Sequence, residues 1–259
     1  MITIKKPIKD ILSSISQELS LESEEVYNII KEINKMSEKY IHITPKKCIR
    51  CGLCYDECPV DAISKPTMRN PAEIIPDKCV NCEICAKTCP VDAIIVLNGK
   101  AFIEGKEIIY QLREVEVDHR TVRLKNYNID LEKCVKCGVC GRFCPTGAIT
   151  VERKKSFNVD LNLCIGCRAC ERVCPRKAIK VENELGKIPF NKEITVDNDK
   201  CVKCLVCISE CPINIIKEID IGVEIDKESC IFCGKCKKVC PVHAIKIKKI
   251  NNNFKEGIL

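Results

Sequence analysis

Six copies of one cysteine pattern account for all 24 cysteines of the chain. They are CIRCGLCYDECPVDAI from Cys48, CVNCEICAKTCPVDAI from Cys79, CVKCGVCGRFCPTGAI from Cys134, CIGCRACERVCPRKAI from Cys164, CVKCLVCISECPINII from Cys201 and CIFCGKCKKVCPVHAI from Cys230. Each reads CxxCxxCxxxCP. Thiolates at i, i+3 and i+6 on a tight loop face one side, which suits three corners of a cubane iron–sulfur cluster and leaves the fourth corner to a residue from elsewhere. Disulfides and zinc compete for so many thiols. The N-terminal stretch MITIKKPIKDILSSISQ, broken by Lys9 and Asp10, lacks the apolar run and cleavage site of a secretory signal. That points to a reducing cytoplasm, where disulfides are disfavoured. Zinc motifs usually hold two CxxC knuckles apart on a longer loop, so triplets followed by CP favour clusters.

The first cysteines of successive repeats lie 31, 55, 30, 37 and 29 residues apart. Short and long intervals alternate, so repeats one and two, three and four, and five and six form three units in series. Each unit resembles a bacterial-type two-cluster ferredoxin, and from about residue 46 to about 248 the whole resembles the polyferredoxins. The resemblance implies an α+β fold. Three tandem two-cluster modules, with short β-hairpins and short helices around the clusters, follow an N-terminal helical segment. It further implies that the cysteine before each proline crosses to the other cluster of its unit. The six [4Fe-4S] clusters would then be held by Cys48, Cys51, Cys54 and Cys89; by Cys79, Cys82, Cys85 and Cys58; by Cys134, Cys137, Cys140 and Cys174; by Cys164, Cys167, Cys170 and Cys144; by Cys201, Cys204, Cys207 and Cys240; and by Cys230, Cys233, Cys236 and Cys211. Among polyferredoxins the likeness is to methanogen subunits of energy-converting hydrogenase and formylmethanofuran dehydrogenase complexes. The partners implied are complexes of that kind, in the cytoplasm or at the cytoplasmic face of a membrane.

The expected organisation is a helical segment over 1–44, modules over 45–97, 130–183 and 197–249, a β-rich insert over 98–129, a linker over 184–196 and a tail over 250–259. In the first segment, helices are expected over Ile4 to Leu19 and Ser23 to Tyr40, with Val26, Ile29, Ile30 and Ile33 as an apolar stripe. It reads as a cap on the first module or as a docking element. Asn98-Gly99 is a hairpin signal in the insert, and EVEVDHRTVRL nearly alternates. Pro59, Pro90, Pro145, Pro175, Pro212 and Pro241 stand where a short helix would begin, with the Ala-Ile pairs after them packing on the clusters. Gly follows the second cysteine at Gly52, Gly138 and Gly234, whereas Glu83, Arg168 and Leu205 stand there in the other repeats. His42, His119 and His243 read as surface residues, with His119 on an exposed strand, because cysteines satisfy every site.

Function classes narrow from here. A net charge of +7 would suggest a nucleic-acid partner, but it counts every thiol as neutral. With four thiolates around each oxidised core, the charge falls by about 12, to about −5, and no nucleic acid is expected. No apolar run is long enough to insert directly in a bilayer. Trp is absent and aromatics are 4%, so the clusters must replace an ordinary core and the metal-free chain should not fold. With no GxGxxG, GxxxxGK[ST] or CxxxCxxC motif to hold a substrate, the chain reads as an electron carrier and not an enzyme. The alternative is an iron–sulfur regulatory or binding protein.

Overall fold

The computed structural model describes residues 2–7, 12, 16, 17, 22, 24 and 36–250. One compact unit takes 1–44 with 94–117, and a second takes 45–93 with 118–259.

The first unit is built on an antiparallel sheet. Strands β1 (Ile2–Pro7), β2 (Met36–Ile43), β3 (Ile94–Glu104) and β4 (Glu107–Val115) lie in the spatial order β1-β4-β3-β2. This corrects the helical reading at both ends of the N-terminal segment. Ile2, Thr3 and Ile4 pair with Leu112, Gln111 and Tyr110, and Tyr40 to Ile43 pair with Leu97 to Ile94. The partners come from far along the chain, so non-local pairing overrides a local 3.6-residue pattern, and β-branched and aromatic residues suit strands. Pro7 is tolerated because β1 is an edge strand. Between these strands only Leu12, Ser16, Gln17, Glu22 and Glu24 are described, all but Glu22 helical. The stripe Val26, Ile29, Ile30 and Ile33 lies outside the described residues. The hairpin turn is also displaced. Asn98 and Gly99 sit inside β3, paired to Arg113 and Leu112 on one side and Lys39 and Glu38 on the other, and the chain reverses at Gly105, φ +59.

In the second unit proline decides where helix gives way to strand. One-turn helices α1 (Leu53–Asp56), α2 (Ile84–Thr88), α3 (Val139–Arg142), α4 (Ala169–Val173), α5 (Val206–Ser209) and α6 (Lys235–Val239) each begin after the second cysteine of a repeat and stop before its CP cysteine. A proline disfavours helical backbone in the residue before it. Accordingly Cys89, Cys174 and Cys240 are extended, with ψ of 118°, 112° and 110°. The prolines therefore end helices; the expectation that helices begin there is overturned. The Ala-Ile pairs that follow are buried and lead into strands, at Ile94, Ile149, Ile179 and Ile245, while Ile63 bridges Ile74.

Each of the last two repeat pairs has an inner hairpin and an outer strand pair. Strands β5 (Val122–Ile129), β6 (Ile149–Glu152), β7 (Ser156–Val159) and β8 (Ile179–Leu185) pair as β6 with β7 and β5 with β8. Strands β9 (Lys192–Val196), β10 (Ile216–Ile219), β11 (Gly222–Ile225) and β12 (Ile245–Lys249) pair as β10 with β11 and β9 with β12. The expected boundaries shift accordingly. Residues 122–129 belong with the third and fourth repeats and not with the insert, and 192–196 belong with the last pair and not with a linker. The cores are small and built around sulfur: Cys140 and Cys170 pack with Ile149, Ile179 and Val181, and Cys207, Cys211 and Cys230 with Ile194, Ile216, Val223, Ile225 and Ile245.

Candidate iron–sulfur centres

Three residues of every repeat adopt the left-handed backbone that side chains disfavour. The first stands before the second cysteine, at Arg50, Asn81, Lys136, Gly166, Lys203 and Phe232. The second stands just after it, at Gly52, Glu83, Gly138, Arg168, Leu205 and Gly234, and the third precedes the Ala-Ile pair, or Ile215-Ile216 in the fifth repeat. Alternating right- and left-handed backbone turns successive N–H groups toward one point, a concavity suited to anions and iron–sulfur sites. The N–H donors here aim at sulfur. Ala62, Ala93, Ala178 and Ala244 donate to Cys58, Cys89, Cys174 and Cys240 at 3.2 to 3.3 Å, and Phe232 donates to Cys230 at 3.4 Å. Glu83, Arg168 and Leu205 keep the glycine-like geometry, with φ of 71°, 67° and 58°. The loop shape is thus common to all six repeats.

Gly166 is the one glycine at the first of these positions. The bulged strand β5 presses on it: an added Cβ would meet the Leu124 backbone at 2.8 Å. Gly138 has nothing within 4 Å of such a Cβ. Gly166→Ala is therefore expected to cost roughly 2 kcal/mol or more, through overlap added to backbone strain, and Gly138→Ala only about 1 kcal/mol. Chelator-driven bleaching of the loaded protein, faster for the first variant than the second, checks this.

The electrostatics show which sulfurs are neighbours. Burial first, then Cys89 and Cys48, push Cys54 up to about 12. Cys82 rises to about 11 by burial, then by Cys58 and Cys79. Burial first, then Cys137, Cys174 and Cys134, raise Cys140 to about 11, and burial with Cys144 and Cys164 raises Cys167 to about 11. Cys207 is raised by burial and then by Cys204, Cys201 and Cys240; Cys236 reaches about 12 by burial, then through Cys233, Cys230 and Cys211. In each case the CP cysteine brought close is that of the other repeat in the pair. Three of the sets also line apolar cavities: Cys134, Cys137, Cys140 and Cys174; Cys201, Cys204, Cys207 and Cys240; and Cys211, Cys230, Cys233 and Cys236.

This arrangement fits a cluster. Among the described residues no three Cys, His, Asp or Glu groups converge as a single metal ion requires, so the thiols surround a space and do not meet at a point. A cubane offers four metal corners for such thiols, and N–H groups aimed at sulfur suit its negative charge. His119 is exposed, as expected, but stands outside any strand, with Nε2 2.8 Å from Asp92. Sequence reading missed Tyr127. Its hydroxyl is buried and makes no hydrogen bond of standard geometry, yet it sits close enough to Cys170 to oppose the rise to about 12 that burial and Cys167 impose there.

Comparison with known proteins agrees. A family described as 4Fe-4S dicluster domain matches residues 31–97 and 128–181, two further dicluster families match 78–149 and 163–215, and a 4Fe-4S binding domain matches 223–246. An uncharacterized polyferredoxin-like protein of Methanocaldococcus jannaschii is 52% identical over 149 residues, which are 58% of each chain. The chain belongs to the polyferredoxins. The matched part spans about 58% of the length of that curated relative. As a polyferredoxin it carries 4Fe-4S dicluster domains of the ferredoxin type, built of small strands and short helices. Among its described residues no helix is long and apolar enough to cross a membrane.

Proposed function

We propose that this polyferredoxin relays single electrons through six [4Fe-4S] clusters, each held by three cysteines of one repeat and the CP cysteine of its partner repeat, in three tandem two-cluster modules. The observation that carries this reading is the neighbourhood of sulfurs such as Cys140 and Cys174, or Cys207 and Cys240, from different repeats. When bound, each cluster supplies reversible one-electron chemistry. The chain's residues shield the sulfurs, donate N–H groups to them and hold the quartets apart. The redox partners proposed are complexes of the hydrogenase or formylmethanofuran dehydrogenase type, on the likeness of the repeats. Iron and acid-labile sulfide on anaerobically reconstituted chain should come to about 24 of each. Zinc in place of iron, or iron for one or two clusters, would sink the relay and favour a regulatory protein.

Tyr127 tunes one site of this relay. The buried Tyr127 hydroxyl has no partner of standard geometry, and turned toward the sulfur of a ligating Cys170 it would stabilise the more negative, reduced state, by about 1 kcal/mol for a neutral hydrogen bond, or about 40 mV for one electron. Tyr127→Phe should therefore lower one potential in six by that amount and leave iron content unchanged, as read by a spectroscopic redox titration.

A further inference from the structure

We propose that the six cysteine quartets form a single file in which the first repeat pair lies between the second and the third, so that the file ends at the quartets of Cys134 and Cys201. The spatial order of the pairs then differs from their order in the chain. This rests on the six-cluster reading above and adds the path to it.

Two junctions carry the inference. At the first, Cys51 and Leu53 of repeat one form one buried cluster with Cys167 and Ala169 of repeat four. The Arg50 guanidinium lies 4.8 Å over the ring of Phe143, next to Cys144. Asp56, in α1, pairs with Arg172 and, at 3.7 Å, with Arg168. Every one of these residues belongs to a cysteine loop or to the one-turn helix that follows it, so the quartets of Cys51 and Cys167 are neighbours. At the second junction, Glu83, beside Cys82, is 3.6 Å from Lys192. Lys192 opens β9, the strand that pairs with β12 of the last repeat pair. Lys87 in α2 donates to the carbonyl of Pro189 at 2.9 Å, and the next residue, Phe190, packs on Phe232 between Cys230 and Cys233 with ring centroids 5.1 Å apart. After burial and its own quartet, Cys82 feels Cys233. The segment joining the second repeat pair to the third thus runs across the first.

Exposure supplies a second, independent mark of the ends. The residue after the first cysteine is Ile or Val in all six repeats. Ile49, Val80 and Ile165 are partly buried and Ile231 is buried, but Val135 is 51% exposed and Val202 60%. Those two stand in the loops that the file leaves at its ends, and Cys204, in one of them, is the single exposed cysteine of the 24. Among these six equivalent positions, the two left open are the two at the ends of the file, where a relay meets its partners.

Double-mutant cycles on the fully loaded chain test the order. Glu83→Lys and Lys192→Glu, and separately Asp56→Arg and Arg172→Asp, should each speed cluster release several-fold when made alone. Each swap should bring the rate back to within about twofold of the parent, because the charges regain their partners. Additive losses in both cycles, in variants that load about 24 iron, would overturn the file while leaving the relay intact; a parent that loads far fewer would instead defeat the relay. Should a single variant fail to load, the parent itself answers. Carbodiimide treatment should join Lys192 to Glu83, and a product joining Lys192 only to carboxylates of repeats three and four would overturn the order.

Discussion

Removing iron anaerobically should unfold the cysteine-bearing unit in one step and leave no loosened native core. The elements there cannot stand alone. Its helices are four or five residues long and its sheets two-stranded, each far below what is stable in water by itself. The apolar clusters are centred on Cys140, Cys170, Cys207, Cys211 and Cys230, so the metal occupies the position that large side chains hold in other proteins. Left-handed backbone at Arg50, Glu83, Leu205 and Phe232 adds strain of about 1 kcal/mol or more at each position once the sulfurs lose their cluster. Acid should hasten the loss. Free thiols bind protons that ligating thiolates do not, so falling pH favours release and rising pH favours reassembly. Burial holds Cys82 and Cys140 protonated up to about 11 and Cys54 and Cys236 up to about 12. A metal-free folded state would therefore keep that preference fully below the ordinary thiol value of about 8.5 and lose it as pH rises through 11 to 12. Reconstitution should accordingly proceed further at pH 8 to 9 than at pH 6, and bleaching should run the opposite way. Circular dichroism followed alongside cluster absorbance checks both claims. A native-like spectrum and a cooperative melt after complete iron loss would refute the first, and bleaching that does not quicken with acid would refute the second.

What the sequence shows plainly is whatever the repeat itself encodes. The spacing of cysteines recurs in all six repeats, the buried Ala-Ile pair in five, and the glycine after the second cysteine in three, at Cys51, Cys137 and Cys233, and all are local patterns. What it conceals depends on partners distant in the chain. Ile2 to Ile4 have no reason to be a strand until Tyr110 to Leu112 lie beside them. Asn98-Gly99 would turn if β3 were an edge, but strands on both sides hold it extended. The proline is legible but ambiguous, because Cys-Pro can open a helix or close one, and the left-handed residue two positions before each buried Ile decides for closing. Tyr127 left no trace in any motif, since it reaches Cys170 only through the pairing of β5 with β8. The departures from glycine had a signal whose meaning appears only in three dimensions: Glu83 meets Lys192, Arg168 meets Asp56, and Leu205 packs on the last core.

Crossed ligation predicts an unusual pattern of losses when cysteines are replaced by alanine. In the last repeat pair, Cys207→Ala and Cys240→Ala should each remove one cluster and lower iron from about 24 to about 20. The double variant should remove no more than either alone, because both residues serve the same site and their effects cannot add. Cys207→Ala combined with Cys211→Ala should instead remove two clusters and leave about 16 iron, although these two cysteines are only four residues apart. Local ligation, with each repeat supplying all four of its own thiols, predicts the reverse: the pair four apart would cost one cluster and the pair from different repeats two. The physical ground for the first pattern is that Cys240 is close enough to Cys207 to raise its pKa after burial, Cys204 and Cys201 have done so, whereas Cys211 acts on Cys230 and Cys236. These positions suit the experiment because Cys207 and Cys211 belong to one small core with Ile194, Val223 and Ile245, so both connectivities are tested in the same packing environment. Iron counted per chain then separates the two connectivities by about four atoms in each double variant, and opposite signs in the two variants leave no single error in protein concentration able to produce both.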